Sequence, residues 1–303
     1  MTDLLDGTYL NAAGTRNYKL YLPTPRPGKP APLIVMLHGC HQDAAGFAAA
    51  TRMNELAREC HAAVLYPEQC RMVNPMGCWN WHDIEHQSAA HGEPSLIAGM
   101  TRQVIAEHDI DPTRVYVAGL SAGGSMALIL AEEYPDLYAA VGVHSGVPSG
   151  VATDLVSALR TMSDGPAHAT SSAIDLRRRK SRFVPTIVFH GDADKTVHPS
   201  NAEVIHKLSR SRKRRGGVTP NPGDRSIKAR TRAGPGARAV TRTHHLKGGV
   251  PEAELWVVHG GGHAWAGGSP EESYTETGGP NASREMVRFF LQQRLDLGAD
   301  NRA

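Results

Sequence analysis

The eleven residues Arg114-Val115-Tyr116-Val117-Ala118-Gly119-Leu120-Ser121-Ala122-Gly123-Gly124 constrain the folding of this chain more than any other stretch. Val115 and Val117 give the β-branched composition of a buried strand. The run breaks at Gly119-Leu120-Ser121-Ala122-Gly123 and resumes as Ser125 to Glu133, which reads as a helix. A serine at so abrupt a strand-to-helix corner sits in a strained backbone conformation. Side chains at Gly119 and Gly123 would collide with the neighbouring strand and helix. The pentapeptide alone also fits a serine that caps a helix after a buried strand, so the rest of the chain has to decide.

That rest alternates strand and helix. Tyr18 to Leu22 alternates as a strand, and Leu33-Ile34-Val35-Met36-Leu37 is a short apolar run of the kind buried on both faces. Phe47 to Glu59 has helical spacing, Ala62 to Pro67 is strand-like, and Leu96 to Glu107 is helical. Beyond the serine corner, Ala139 to Val143, Pro185 to His190 and Glu254 to His259 supply three more strands. A helix near Ser283 to Arg294 closes the series. The pattern predicts an α/β fold, a mostly parallel central sheet with helices on both faces, in one domain spanning 1–303. Two segments interrupt it. One is an excursion at 145–181 that ends near Arg177-Arg178-Arg179-Lys180. The other is a stretch near 210–247, rich in Gly, Pro, Arg and Thr, which reads as a flexible loop.

Charge sharpens the second interruption. Lys207 to Lys247 carries thirteen basic residues against Asp224 alone, a net of +12 that leaves the remainder at −9. The stretch lacks interleaved aromatics for stacking on bases, and its glycines and prolines break any recognition helix. It therefore predicts a solvated insertion, with binding of nucleic acid or an anionic surface through it as the remoter alternative. No apolar run approaches the roughly 20 residues that span a membrane. Met1 to Gly7 shows no basic segment followed by an apolar one, so the expectation is a soluble, cytoplasmic protein unless a leader has been removed. Nothing in the chain predicts an oligomer.

The chemistry follows from the order of residues after the strands. Acyl transfer needs a nucleophile, a base, a group that orients the base, and donors for an oxyanion. Ser121 is the candidate nucleophile. The strand ending at Phe189 runs into His190-Gly191-Asp192-Ala193-Asp194, where Asp194 stands past the turn and suits the orienting role, while Asp192 suits bracing the turn. The strand ending at Val258 runs into His259-Gly260-Gly261-Gly262-His263. Here His263 follows a loop long enough to reach across the sheet edge, and His259 is still at the strand end. The backbone N–H groups of Ala122 and Cys40 are the candidate oxyanion donors, and His38 braces the loop before Cys40 or touches substrate. No metal or other cofactor is required by this chemistry. His82-Asp83-Ile84-Glu85-His86 spells the H-x-x-E-H of zinc proteases, but it follows Trp-Asn-Trp in a polar loop and predicts no metal site. Of the four cysteines, Cys60 lies on an apolar helical face, and Cys40, Cys70 and Cys78 leave room for one disulfide in an oxidising compartment.

Taken together, Leu37-His38-Gly39-Cys40, Tyr66-Pro67-Glu68-Gln69, Cys78-Trp79-Asn80-Trp81, Arg114 to Gly124, His190 to Asp194 and Gly262-His263-Ala264-Trp265 resemble the polyhydroxybutyrate depolymerase family of esterases, with its feruloyl and acetylxylan esterase relatives. The resemblance covers about Tyr18 to Phe290. It implies an α/β-hydrolase fold, a serine carboxylesterase with Ser121, Asp194 and His263 as its triad, and a Cys40–Cys78 disulfide, although Cys70 is an unexpected third cysteine there. It also implies that Trp79, Trp81 and Trp265 flank the nucleophile as substrate-binding residues, and that the protein is extracellular. An ester, polymeric or small, is the implied partner: a short-chain polyhydroxybutyrate, or alternatively a feruloylated or acetylated polysaccharide.

Overall fold

A computed structural model describes residues 4–166, 184–211, 225–231 and 236–296. Twelve strands run in chain order as β1 (Leu5–Asn11), β2 (Gly14–Tyr21), β3 (Ala31–Leu37), β4 (Ala63–Pro67), β5 (Ile110–Leu120), β6 (Ala140–His144), β7 (Thr186–Gly191), β8 (Arg225–Thr231), β9 (Val240–Lys247), β10 (Val250–Val258), β11 (Trp265–Ala266) and β12 (Thr275–Glu276). The helices are α1 (Ala44–Thr51), α2 (Met53–Cys60), α3 (Gly92–Glu107), α4 (Ala122–Glu133), α5 (Leu155–Asp164), α6 (Ser200–Ser211) and α7 (Ala282–Phe290).

Among the described residues ten strands form one sheet in the order β1-β2-β4-β3-β5-β6-β7-β10-β9-β8. The six from β4 to β10 pair in parallel, and both flanks are antiparallel. β3 is buried at every position, which follows from its Leu-Ile-Val-Met-Leu run and from helices on both sides. Two apolar clusters sit on opposite faces. One gathers Leu33, Val35, Val117 and Val143 with residues of α3 and α4; the other gathers Ile34, Met36, Tyr116 and Phe189 with residues of α1, α2 and α7. The alternation of these residues along each strand is the two-residue repeat of a pleated sheet. Among the described residues no helix is long and apolar enough to cross a membrane.

Three departures from the sequence reading have physical causes. The expected helix at Phe47 to Glu59 is two helices, because Arg52 takes a left-handed conformation (φ 52°) that ends α1 and starts α2. An extra N-terminal strand, β1, pairs with β2. Its residues are half-buried or exposed, so it carries too little apolar signal to be read. The basic stretch is not simply a loop: β9 pairs with β10, and β8 pairs with β9 along its whole length. The backbone ladder supplies what the composition lacks. Arg242 is held at the carboxylate of buried Glu254 (3.0 Å) and over the ring of Trp256, so its charge is paired rather than solvated. Residues 212–224 and 232–235 of that stretch, and Arg177 to Lys180, lie outside the described residues.

Candidate active site

The loops that leave β3, β5, β7 and β10 at their carboxyl ends meet above the middle of the sheet. Ser121 links β5 to α4 with φ 56° and ψ −121°, a region that L-residues rarely adopt. A Cβ on Gly123 would fall on the carbonyl oxygens of Leu37 and His38, and one on Gly119 would fall on the backbone of Gly123. The glycines thus let α4 start directly against the end of β3. A Cβ on Gly39 would stand 3.1 Å from Gln42 Oε1 and 3.6 Å from the Ser121 Cβ.

Asp194 and His263 are joined by a 2.7 Å bond between Oδ2 and Nδ1. The other oxygen of Asp194, Oδ1, accepts the backbone N–H groups of Thr196 (2.8 Å) and Val197 (2.9 Å). His190 adds its Nε2, 3.3 Å from Oδ2 and 2.8 Å from the carbonyl of Val197. Burial raises the Asp194 carboxyl, but the bonds from His190, His263 and Val197 outweigh it and hold the group well below the usual carboxylate range. An ionised carboxylate only accepts, so the proton of His263 lies on Nδ1 and Nε2 is its free base. The loop before His263 is set by backbone pairing: Ala193 donates to Gly261 and Asp192 to Val258. Asp192 also accepts from His259 Nδ1 (2.7 Å) and Gly260 N (2.6 Å), which makes it the brace of that turn.

A cavity of about 620 Å³ opens over Ser121. His263, Gly39, Cys40, Ala122, Trp79 and Trp81 line it together with Ser121. Among the described residues no acceptor takes up the Cys40 N–H, and the Ala122 N–H, first in α4, has no intrahelical acceptor. Cys40 is disulfide-bonded to Cys78, and Cys60 and Cys70 are free thiols. The bond ties the loop after β3 to the Trp79–Trp81 loop. That loop is held from below by Glu93, fully buried at the start of α3. Glu93 accepts from the Asn80 N–H and Nδ2 (both 2.7 Å), from Gln69 Nε2, and from Arg16 (3.4 Å). Sequence reasoning missed Glu93, since a single glutamate at a helix start carries no visible mark of burial.

Two expected substrate-binding residues are not on the cavity wall. His38 is buried; its Nδ1 faces the Gly39 carbonyl at 2.8 Å and its Nε2 accepts the Gln69 N–H at 3.1 Å, so both ring nitrogens brace the loop. Trp265 is fully buried because β11 pairs with β12 and turns the indole inward. There it donates to Ser283 Oγ (3.0 Å) and packs against Phe47 and His144. Of the H-x-x-E-H residues, Ile84–His86 form a 3₁₀ turn with His82 outside it, and His86 Nδ1 accepts the Glu93 N–H. Histidines so placed do not share the face of an α-helix that the zinc pattern needs.

A third wall of the cavity comes from the excursion after β6. Leu155, Ala158, Leu159 and Met162 of α5 line it. Asp154 caps this helix through Ser157.

The family model for esterase PHB depolymerase matches residues 16–232. Poly(3-hydroxyalkanoate) depolymerase C of Paucimonas lemoignei is 38% identical over 176 residues, which is 56% of this chain and 42% of that protein. Feruloyl esterase B of Neurospora crassa is 31% identical over 200 residues, 62% of this chain and 67% of that one. The chain thus matches less than half of the depolymerase's length and two thirds of the feruloyl esterase's. An acetyl xylan esterase from Aspergillus awamori superposes with a TM-score of 0.67 at 20% identity, covering 91% of this chain and 94% of the other, a likeness of fold. With the α/β-hydrolase architecture in place and most of its length matched, this chain belongs to the esterase PHB depolymerase family.

Proposed function

We propose that the protein is a serine carboxylic ester hydrolase working through an acyl-enzyme, in a single catalytic domain. The observation that carries this reading is the Asp194–His263 bond opening onto the cavity that also holds Ser121. Ser121 Oγ attacks the ester carbonyl while His263 Nε2 takes its proton. The tetrahedral oxyanion is received by the N–H groups of Cys40 and Ala122. His263 then protonates the leaving alcohol, Asp194 stabilising the imidazolium. Water activated by the same imidazole releases the acid and restores Ser121.

Short-chain poly(3-hydroxybutyrate) and related esters are the substrates we favour, supported by the similarity to the Paucimonas depolymerase. A second reading, a feruloyl esterase, is favoured by the aromatic side chain of Trp81 on the lining of the cavity that also holds Ser121 and by the Neurospora relative. The Cys40–Cys78 bond supports an oxidising compartment.

The test is Ser121→Ala, which should abolish hydrolysis of p-nitrophenyl butyrate while the circular dichroism spectrum is kept. Turnover at the wild-type rate in that variant would remove the assignment. Polyhydroxybutyrate oligomers, methyl ferulate and acetylated xylan, assayed side by side, separate the two substrate readings.

A further inference from the structure

Four of the five apolar residues of α5, at 155, 158, 159 and 162, have the spacing of one helical face, and the fifth, Val156, stands off it. In most surface helices such a face is turned to the core. Here it lines the cavity over Ser121, and Leu155 and Leu159 are 60% and 55% exposed there. The helix does not hang loosely. At its start the buried side chain of Gln87 donates to the carbonyls of both Trp81 (2.9 Å) and Ala152 (2.7 Å). At its end the carbonyls of Thr161 and Met162 accept from Asn201 Nδ2 (2.9 Å) and His198 N (2.7 Å). Two leucines are therefore held in water, beside the serine, on a braced scaffold. Val147, Val197, Met76 and Trp81 continue the apolar lining. Among the described residues that line the cavity there is no Asp, Glu, Lys or Arg.

Resting on the esterase reading above, we propose that this face of α5 is the specificity wall of the enzyme. It receives an uncharged apolar substituent of the ester, larger than the methyl group of an acetate, next to the scissile carbonyl. Contact with the substituent removes Leu155 and Leu159 from water, and each added methylene gains free energy in the transition state as it does in other apolar pockets. A charged substituent finds no counter-ion there and loses its hydration without repayment.

The substituent can stand on the acyl or the alcohol side of the ester, and two substrate series distinguish these. One is p-nitrophenyl acetate, butyrate and hexanoate; the other is ethyl, butyl and hexyl acetate followed by acid release. The expected result is that kcat/KM of the wild type rises about tenfold or more along one series. In the double variant Leu155→Ser/Leu159→Ser that rise should shrink to about threefold or less. Both side chains are largely exposed, so the variant should fold. Val156→Ser, on the same helix but outside the cavity wall, should keep the wild-type rise. A wild-type profile flat in both series, or a rise that the double variant leaves intact, overturns the proposal. Turnover of every ester surviving Ser121→Ala would overturn the esterase reading beneath it, whereas a flat profile that still vanishes in Ser121→Ala overturns the wall alone.

Discussion

The carbonyl of His144, the last residue of β6, accepts the backbone N–H of Ser121 at 2.9 Å. The ring of the same histidine accepts the N–H of Ala266 at Nε2 (3.0 Å), three residues beyond His263. Its Nδ1 faces Ser145 Oγ (3.1 Å), and its planes stack on Phe189 and Trp265. One buried residue thus fixes both the serine corner and the segment after His263. The bond to Ala266 requires an unprotonated Nε2. Burial, aided by His190 and His263, lowers the pKa of His144 to about 3, against a smaller opposing pull from Asp194.

That depression has a sign. The unfolded histidine takes up a proton near pH 6.5, whereas the folded one does not until about pH 3, so the unfolded state binds more protons between them. Stability is complete above pH 6.5 and declines as pH falls towards 3. Asp194, also depressed, adds a loss in the same direction below the ordinary carboxylate range. The urea midpoint should fall from pH 7 to pH 5. His144→Gln, which keeps an acceptor for Ala266 but does not titrate, should lose less over that interval. An identical pH slope in the two proteins would refute the assignment to His144.

Asp194→Asn should lower kcat by about 10⁴ through loss of the correct His263 tautomer, while KM changes by less than about threefold. Asp192→Asn, which touches His259 and Gly260 instead, should keep kcat within about threefold of wild type. Steady-state kinetics on p-nitrophenyl butyrate decide between them, and an exchange of the two results would reverse the roles of the two aspartates.

The Cys40–Cys78 bond closes a loop with a sequence separation of 38. On the chain-entropy argument its removal by Cys40→Ala/Cys78→Ala costs about 4 kcal/mol of stability. Since it also anchors the candidate oxyanion N–H, kcat should fall by more than KM changes. Denaturant unfolding and kinetics on the double variant test both halves. Unchanged kcat would mean that the loop keeps its place without the bond.

Gly123→Ala should fail to fold stably at 37 °C, because its methyl group meets the backbone oxygens of Leu37 and His38, which belong to the sheet and its outgoing loop and have nowhere to move. Gly262→Ala, whose added carbon meets nothing within 4 Å, should fold like wild type. Comparing soluble yield and thermal midpoints of the two checks the contrast.

How much of this was legible beforehand depends on whether the information is local. The serine corner, the parallel strands and the order Ser121, Asp194, His263 are written in short motifs after apolar runs, and each lies where its strand ends. Asp192 and His259 can be set apart from Asp194 and His263 by position relative to the strand end, and in the structure they pair with each other. His38 reads from sequence as bracing the loop or touching substrate, and the partner that decides for the brace, Gln69, is distant in sequence; the burial of Trp265 likewise depends on Phe47 and Ser283, which its own motif does not announce. β8 is exposed at every residue and follows no apolar pattern. It exists because β9 offers it an edge, information that belongs to the sheet rather than to the segment. The same holds for α5, whose apolar stripe is readable as a helix face but not as a cavity wall.

The clamps on α5 have an evolutionary meaning. The long-range hydrogen bonds from Gln87, Asn201 and the His198 N–H end on backbone carbonyls, that of Ala152 just before the helix and those of Thr161 and Met162 within it. A main-chain oxygen is present whatever side chain stands at that position. The residues turned towards the cavity can therefore drift without loosening the helix or disturbing the serine corner. A lineage that keeps these fastenings can reshape the cavity wall at little folding cost, and an engineer can do the same.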